Sequence, residues 1–565
     1  MISGWLFDVY PLDKKMVFWI KQEDGSIIRL EDNSWGHSVY VASDCNSYLK
    51  SVVVDNTVVD SNCDDANDSV ASLVKNYEFV SRYERITDVT KSDVLKLKLA
   101  DSTKALTLSR KIDTIDGNYE FGKHRTYNVD VIPSQSYFYE HDIFPLAFCE
   151  VCNNSSNLRW HNKDSIWSTN YKIPNFKTIH LTVNLRKERK IERYTDEIHS
   201  ITIKQHREDN NSDETISIEC NDLSEYDIIK QLKAEVANID PDFVFTEDGD
   251  SFTFPYLIYR AEQNGAKEEL CLSRESVPLK KPTREGMSYF SYGRVHFRPT
   301  AVSLLGRIHI DKSNTFVYNE SGLQGLYEIA RLCRMPLHTA ARASIGKCLS
   351  SLQFYYATQK GILIPWKPLI AEHFKTLGDL LIADRGGFIF EPKIGVHEQA
   401  AEFDFVSLYP NIMLKKNISA ETIKCACCPD SKLRVPELNY YNVCQKRIGI
   451  VPTSLKIVLE KRGMYKQLLK SENLLPKLKT IYDSRQNSLK WILVTSFGYL
   501  GFNNAKFGRI DAHIAVCAFD RQILLHAVKV PEKCGYKVLH GIVDSIWIQK
   551  KNKHEDVHNK IMDIK

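Results

Sequence analysis

No stretch of this chain reaches the roughly 18 consecutive apolar residues that would mark a membrane-spanning helix. Its start, MISGWLFDVYPLDKK, lacks the basic segment and apolar run of a secretory signal. Fourteen cysteines are present but scattered, without the spacing of a disulfide framework, so a reducing, cytoplasmic setting is the default expectation. Internal repeats and low-complexity tracts are lacking too. With 43% hydrophobic and 26% charged residues the composition excludes a disordered chain. A strong net charge is also missing, at +4 over 565 residues, a length with room for roughly three to five domains.

What charge there is falls unevenly. Residues 201–250 hold fourteen acids against four bases, whereas residues 445–510 hold thirteen bases against three acids. The second excess suits a polyanionic ligand, although a well-solvated helical pair would look the same.

Hydrophobic patterning divides the chain. Residues 1–130 read as β-rich, with WLFDVY, MVFWIK, HSVYVAS and SVVVD as short runs between polar turns. Residues 131–345 mix strands and helices. KTIHLTVNL and HSITIK read as paired strands, DLSEYDIIKQLKAEVANI as an amphipathic helix from near Asp222, and GLQGLYEIARLCR as a second helix. Beyond about 346 the pattern turns helical and then gives the strand run AAEFDFVSLYP. Two basic helices follow at about 453–471 and 477–498, punctuated by Pro452 and Pro476. GYKVLHGIVDSIWIQK reads as two strands around a tight turn.

Chemistry concentrates at two points. Asp404 ends an apolar strand, with Tyr409 five residues on, and Asp544 sits at the hairpin turn. Carboxylates from separate strands of one sheet can hold two Mg²⁺ ions, activating a 3′-hydroxyl and neutralising a leaving pyrophosphate. Either Asp alone would more often be an ordinary turn or cap residue. Arg462 and Lys466 lie four apart and share a helix face, as solvated helix charges also do.

DFVSLYPNIM resembles the first palm motif of B-family DNA polymerases, Asp-x-x-Ser-Leu-Tyr-Pro. HGIVDS stands where that family has Tyr-Gly-Asp-Thr-Asp-Ser, and residues 490–498 resemble its finger motif, Lys-x-x-x-Asn-Ser-x-Tyr-Gly. RGGFIFEP (385–392) resembles its template-contacting Gly-Gly loop, and the order along the chain is the family's. The nearest resemblance is to an archaeal paralogue group with altered motifs.

The resemblance implies a multidomain α+β and α/β architecture. A β-rich N-terminal domain would span 1–130 and a degenerate, RNase H-like exonuclease domain 131–345. The palm, with an antiparallel sheet, would span 346–450 and 500–565, and helical fingers 451–499. Only 21 residues follow Asp544, so the thumb is expected to be absent, truncated or supplied by a separate polypeptide.

The resemblance further implies Asp404 and Asp544 as Mg²⁺ ligands, with Mn²⁺ able to substitute. Leu408, Tyr409, Arg462, Lys466, Lys490, Val494 and Phe497 would line the nucleotide site. Primer-template DNA and dNTPs would be the partners, a sliding clamp a further one, and the location nucleoid-associated.

The departures from the family carry their own expectations. Ile542 replaces one motif Asp, His540 a Tyr, Val494 an Asn and Phe497 a Tyr. Metal binding or turnover should weaken. The exonuclease ligand positions read Thr182, Asn184, Thr253 and Gly322, none a carboxylate, while Asp248 and Asp250 are expected to be solvated loop acids. The expected protein is a polymerase without proofreading, of low fidelity or lesion-tolerant. The alternative is a weakened paralogue that binds DNA as a structural or regulatory subunit.

Cys425, Cys427, Cys428 and Cys444 form a cluster with a ligand-like 425/428 spacing. A structural Zn²⁺ site prefers two close pairs, and the second is incomplete unless Cys427 joins it; reduced cysteines in an insertion are the other reading. Cys149 and Cys152, with His161 downstream, are a weaker candidate.

Overall fold

The computed structural model describes residues 1–43, 70–114, 124–154, 157–186, 193–206, 213–220, 223–282, 286–291, 293–366, 372–383 and 385–550. The SVVVD run expected as a strand lies outside them. No helix among the described residues is long and apolar enough to cross a membrane.

The opening runs form an antiparallel five-stranded sheet in the order Ile27–Asp32, Lys15–Lys21, Ile2–Leu12, Phe148–Asn154, Asn157–Asn162. Strand Lys15–Lys21 is buried almost throughout, which is why its sequence is a continuous apolar run rather than an alternating one. Strands from both sides of residue 130 share this sheet.

A second five-stranded sheet runs Asp213–Glu219, Ile198–His206, Thr178–Leu185, Phe243–Thr246, Ile308–Asp311. Its first pairings, including the two strands expected to pair, are antiparallel; the last two are parallel. Helix Glu225–Ile239 covers it with Ile228, Ile229, Leu232 and Val236. This helix starts three residues after Asp222 because Ser224 takes the cap, its hydroxyl accepting the Asp227 N–H.

The C-terminal third is built around a four-stranded antiparallel sheet, Ile389–Phe390, Tyr536–Ile542, Ser545–Lys550, Ala400–Asp404. Three long helices stand beside it: Ile450–Leu468, Pro476–Leu500 and Ile510–Lys533. The first two are the expected basic pair, each starting within a few residues of its proline.

A buried ionic knot ties this region to helix Phe316–Leu332. Glu328 on that helix pairs with Lys461 of the first long helix at 2.6 Å, both side chains fully buried. The other Glu328 oxygen accepts the hydroxyls of Tyr171 (2.8 Å) and Tyr465 (3.0 Å). Arg331 and Arg485 each lie 3.7 Å from the Tyr171 ring centroid. With its counter-charge and two hydroxyl donors in place such a pair is tolerated; missing one partner, it would be costly.

Candidate active site

The two carboxylates singled out in the sequence are cross-strand neighbours. Asp404, the last residue of its strand, pairs in register with Ser545, and the Phe405 N–H donates to the Asp544 carbonyl at 2.8 Å. Asp544 occupies a two-residue hairpin turn with Val543, whose φ is +50°. That backbone conformation is strained for a β-branched residue and persists where its surroundings over-determine it. Ser407, three residues past Asp404, also has positive φ (+50°) and turns the chain into helix Leu408–Lys415. Two strained turns thus present Asp404, Asp544 and Tyr409 together.

Electrostatics at this point call for a cation. The Asp404 carboxyl is raised above its usual range, by partial burial and then by the Asp544 charge, with Lys466 opposing. A carboxylate whose ionisation is opposed by burial and by a neighbouring carboxylate fits hard divalent cations such as Mg²⁺.

The basic residues surround the same space. Arg462 donates from Nη1 to the Ser407 hydroxyl at 3.2 Å. Lys466, one turn on, is depressed by desolvation and then by Arg462, with Lys470 and Lys490 also repelling it and Asp404 opposing. Val494 is 60% exposed one turn beyond Lys490. Phe497 instead packs its ring 4.2 Å from Tyr409 and 4.0 Å from His513. Leu408 is buried in the core beneath.

Ile542, 36% exposed, lies two residues before Asp544 and offers no ligand atom. His540 shares a hydrogen bond with the Phe390 carbonyl (2.7 Å) and stacks on Trp547.

One group here was missed in the sequence. Asp520, on the third long helix, is fully buried, and neither carboxylate oxygen has a hydrogen-bond partner. Its pKa is pushed up to about 7 by burial and then by Asp544, with Arg521 opposing. A Cβ placed on Gly387 would lie 3.0 Å from Val543 Cγ2, 3.3 Å from the Tyr409 hydroxyl and 3.5 Å from Asp520 Oδ2. The glycine is the floor on which these groups meet. Next to Asp520, Arg521 donates to the Gly386 carbonyl (2.6 Å) and to Glu437 (2.7 Å), holding the Gly-Gly loop. The only signal for Asp520 was an acid inside an otherwise apolar helical run, AVCAFD.

The second sheet presents a different picture. Thr182 and Asn184 lie exposed on strand Thr178–Leu185, and the Asn184 amide donates to Ser200 Oγ at 3.0 Å. Thr253 donates to Asp248 at 2.5 Å, and Gly322 kinks its helix with φ +60°. Asp250 is not the solvated loop acid expected. It is buried and held by Arg342 at 2.6 and 3.0 Å, by the Val302 N–H and by Asn314. Burial opposes its ionisation, but Arg342 overrides this and keeps its carboxyl below the usual range. The reason is tertiary: Arg342 lies ninety-two residues away. Cys149 and Cys152, three apart on one strand, face opposite sides and cannot form a ligand pair.

Comparison with known proteins identifies the family. The family model for DNA polymerase family B matches residues 347–560, and that for the family B exonuclease domain matches residues 165–319. Together they cover more than half of the chain, which belongs to DNA polymerase family B. It is similar to DNA polymerase 2 of Saccharolobus solfataricus, 35% identical over 246 residues, which is 44% of this chain and 36% of the relative. It is also similar to DNA polymerase 1 of Pyrococcus abyssi, 27% identical over 384 residues, 60% of this chain and 49% of that one. The chain thus matches about half or less of the length of these curated relatives. The solved family B polymerase from Pyrobaculum calidifontis shares the fold, with a TM-score of 0.70 at 19% identity, covering 100% of this chain and 76% of that one. The multidomain α/β architecture expected from the sequence is the one found.

Proposed function

We propose that this chain extends a DNA primer on a template, using dNTPs and divalent cations held by Asp404 and Asp544, and does not proofread. The observation that carries the reading is the meeting of these two aspartates, one at a strand end and one in the neighbouring hairpin turn, with Tyr409 and the Arg462–Lys466–Lys490 cluster. Bound Mg²⁺ or Mn²⁺ would supply activation of the 3′-hydroxyl and neutralisation of the departing pyrophosphate.

The chain's own residues do the rest. Arg462 and Lys466, four apart on one helix face, suit a triphosphate, the guanidinium by paired hydrogen bonds and the ammonium by point charge. The Tyr409 ring, fixed against Phe497, forms a wall where a ribose 2′-hydroxyl would collide, favouring deoxynucleotides. Arg385, Gly386 and Gly387 approach the template.

The absence of proofreading is supported by the four non-carboxylate positions and by the commitment of Asp250 to Arg342. Among the described residues, no cluster of three or more carboxylates or histidines could share a metal ion there. With no excision of mispaired ends, low fidelity or lesion tolerance follows. A second reading, a weakened paralogue acting as a DNA-binding subunit, is favoured by apolar Ile542 beside the aspartates and by exposed Val494.

Primer extension with Mg²⁺ or Mn²⁺, run beside Asp404→Ala, tests the catalytic reading. Extension abolished by the substitution supports it, whereas DNA binding without extension by either protein favours the subunit. Primer shortening without dNTPs would overturn the claim about proofreading.

A further inference from the structure

Outside the polymerase site, one cluster of metal-ligating side chains stands among the described residues. The Sγ atoms of Cys425, Cys427, Cys428 and Cys444 all lie within 4.8 Å of one another. Individual separations are 3.0 Å for 425–428, 3.4 Å for 427–444 and 3.8 Å for 427–428. All four are free thiols, and none of these distances approaches the roughly 2.05 Å of a disulfide. Four thiolates at about 2.3 Å from one tetrahedral ion would stand about 3.8 Å apart. An iron–sulfur cluster would spread its ligands wider than this group.

The chain supplies the pair that spacing alone left incomplete. Cys427 swings toward Cys444, which returns on the far side of a small hairpin, Arg434–Val435 with Leu438–Asn442. Backbone bonds lock the return: Cys444 N–H to the Thr422 carbonyl (2.7 Å) and Lys424 N–H to the Asn442 carbonyl (2.9 Å). The Asn442 amide reaches Cys425 Sγ (3.3 Å) and the carbonyls of Cys425 and Cys428. An outer group that donates to a ligand sulfur and fixes the loop carrying it is the usual support of a metal thiolate site.

We propose that Cys425, Cys427, Cys428 and Cys444 bind one structural Zn²⁺. Four soft protein ligands close the tetrahedron and leave no position for substrate. Its purpose is mechanical. Glu437, at the tip of the hairpin, grips Arg521, and Arg521 grips the Gly386 carbonyl. Tyr441 of the same hairpin bonds buried Asp511 at 2.8 Å. The Asn417 amide, just beyond helix Leu408–Lys415, bonds the Cys444 carbonyl and its oxygen accepts the Gly449 N–H, which caps the first long helix. The ion therefore pins the junction between the catalytic strand, the basic helices and the Gly-Gly loop.

The test is metal analysis of the full chain purified without chelator or added metal, and it does not depend on polymerase activity. One zinc per chain is expected, falling at least tenfold in a Cys427→Ser/Cys444→Ser variant. Should that variant fold poorly, metal-stripped wild-type chain is titrated with Co²⁺. One equivalent should give the visible bands and sulfur charge transfer of tetrahedral thiolate-bound cobalt. Hydrogen exchange across 422–444 should quicken at least tenfold on stripping and recover with Zn²⁺ alone. Zinc below a tenth of an equivalent with no cobalt spectrum, or four cysteines found paired as disulfides in freshly purified chain, overturns the proposal.

Discussion

Asp520 is a buried carboxylate whose charge the structure accommodates poorly, and Asp520→Asn removes that charge at nearly constant volume. Its ordinary carboxyl value is 3.8, and in the fold it is pushed to about 7 by burial and by Asp544. The native state therefore holds this proton more tightly than the unfolded chain does. Stability from this group is greatest at low pH, falls as pH rises from about 4 toward about 7, and levels off above. A gap of roughly three pKa units corresponds to about 4 kcal/mol over the whole window, of which roughly 2–3 kcal/mol is lost between pH 5 and pH 8.5. The Asn variant should not lose it. Urea or thermal unfolding of both proteins at pH 5, 7 and 8.5 should give a difference in stability that grows with pH in favour of the variant. Because a cation beside Asp544 would offset the repulsion, saturating Mg²⁺ should shrink that difference. Parallel pH profiles for the two proteins would refute the reasoning, since desolvation and Asp544 would then not be acting on this carboxyl.

Three further outcomes are expected. Glu328→Gln strands Lys461 without its counter-charge in the interior and should destabilise by about 3–5 kcal/mol, read as a fall in unfolding midpoint; a change below about 1 kcal/mol would mean that water reaches the knot. Gly387→Ala crowds Val543, Tyr409 and Asp520 and should raise the KM for dNTPs severalfold, with stability altered by only about 1 kcal/mol. Ile542→Asp places a third carboxylate beside the aspartate pair and should lower the Mg²⁺ concentration for half-maximal extension; an unchanged metal requirement would show that this position does not face the ions.

Much of the active site was legible because its parts are local. A carboxylate at a strand end and two basic helices opened near prolines follow from periodicity and capping within short windows, whereas the strand run AAEFDFVSLYP stops at Asp404 and Tyr409 lies in a helix that periodicity did not reveal. The helix expected from Asp222 began at Glu225 because Ser224 is the better cap. Those patterns, with the motif resemblance, were enough for the family, and they singled out the aspartate pair on which the proposed function rests.

Tertiary structure decided what depends on residues meeting from far apart in the chain. Sequence spacing could not reveal that Asp250 is neutralised by Arg342, that Cys444 closes on Cys427, or that Asp520 meets Tyr409 across Gly387 with no hydrogen-bond partner. A charged side chain in a sequence carries no mark of its burial. Whether it is solvated, paired or stranded is set by which surfaces the fold brings against it, and that same desolvation fixes its charge and what it costs.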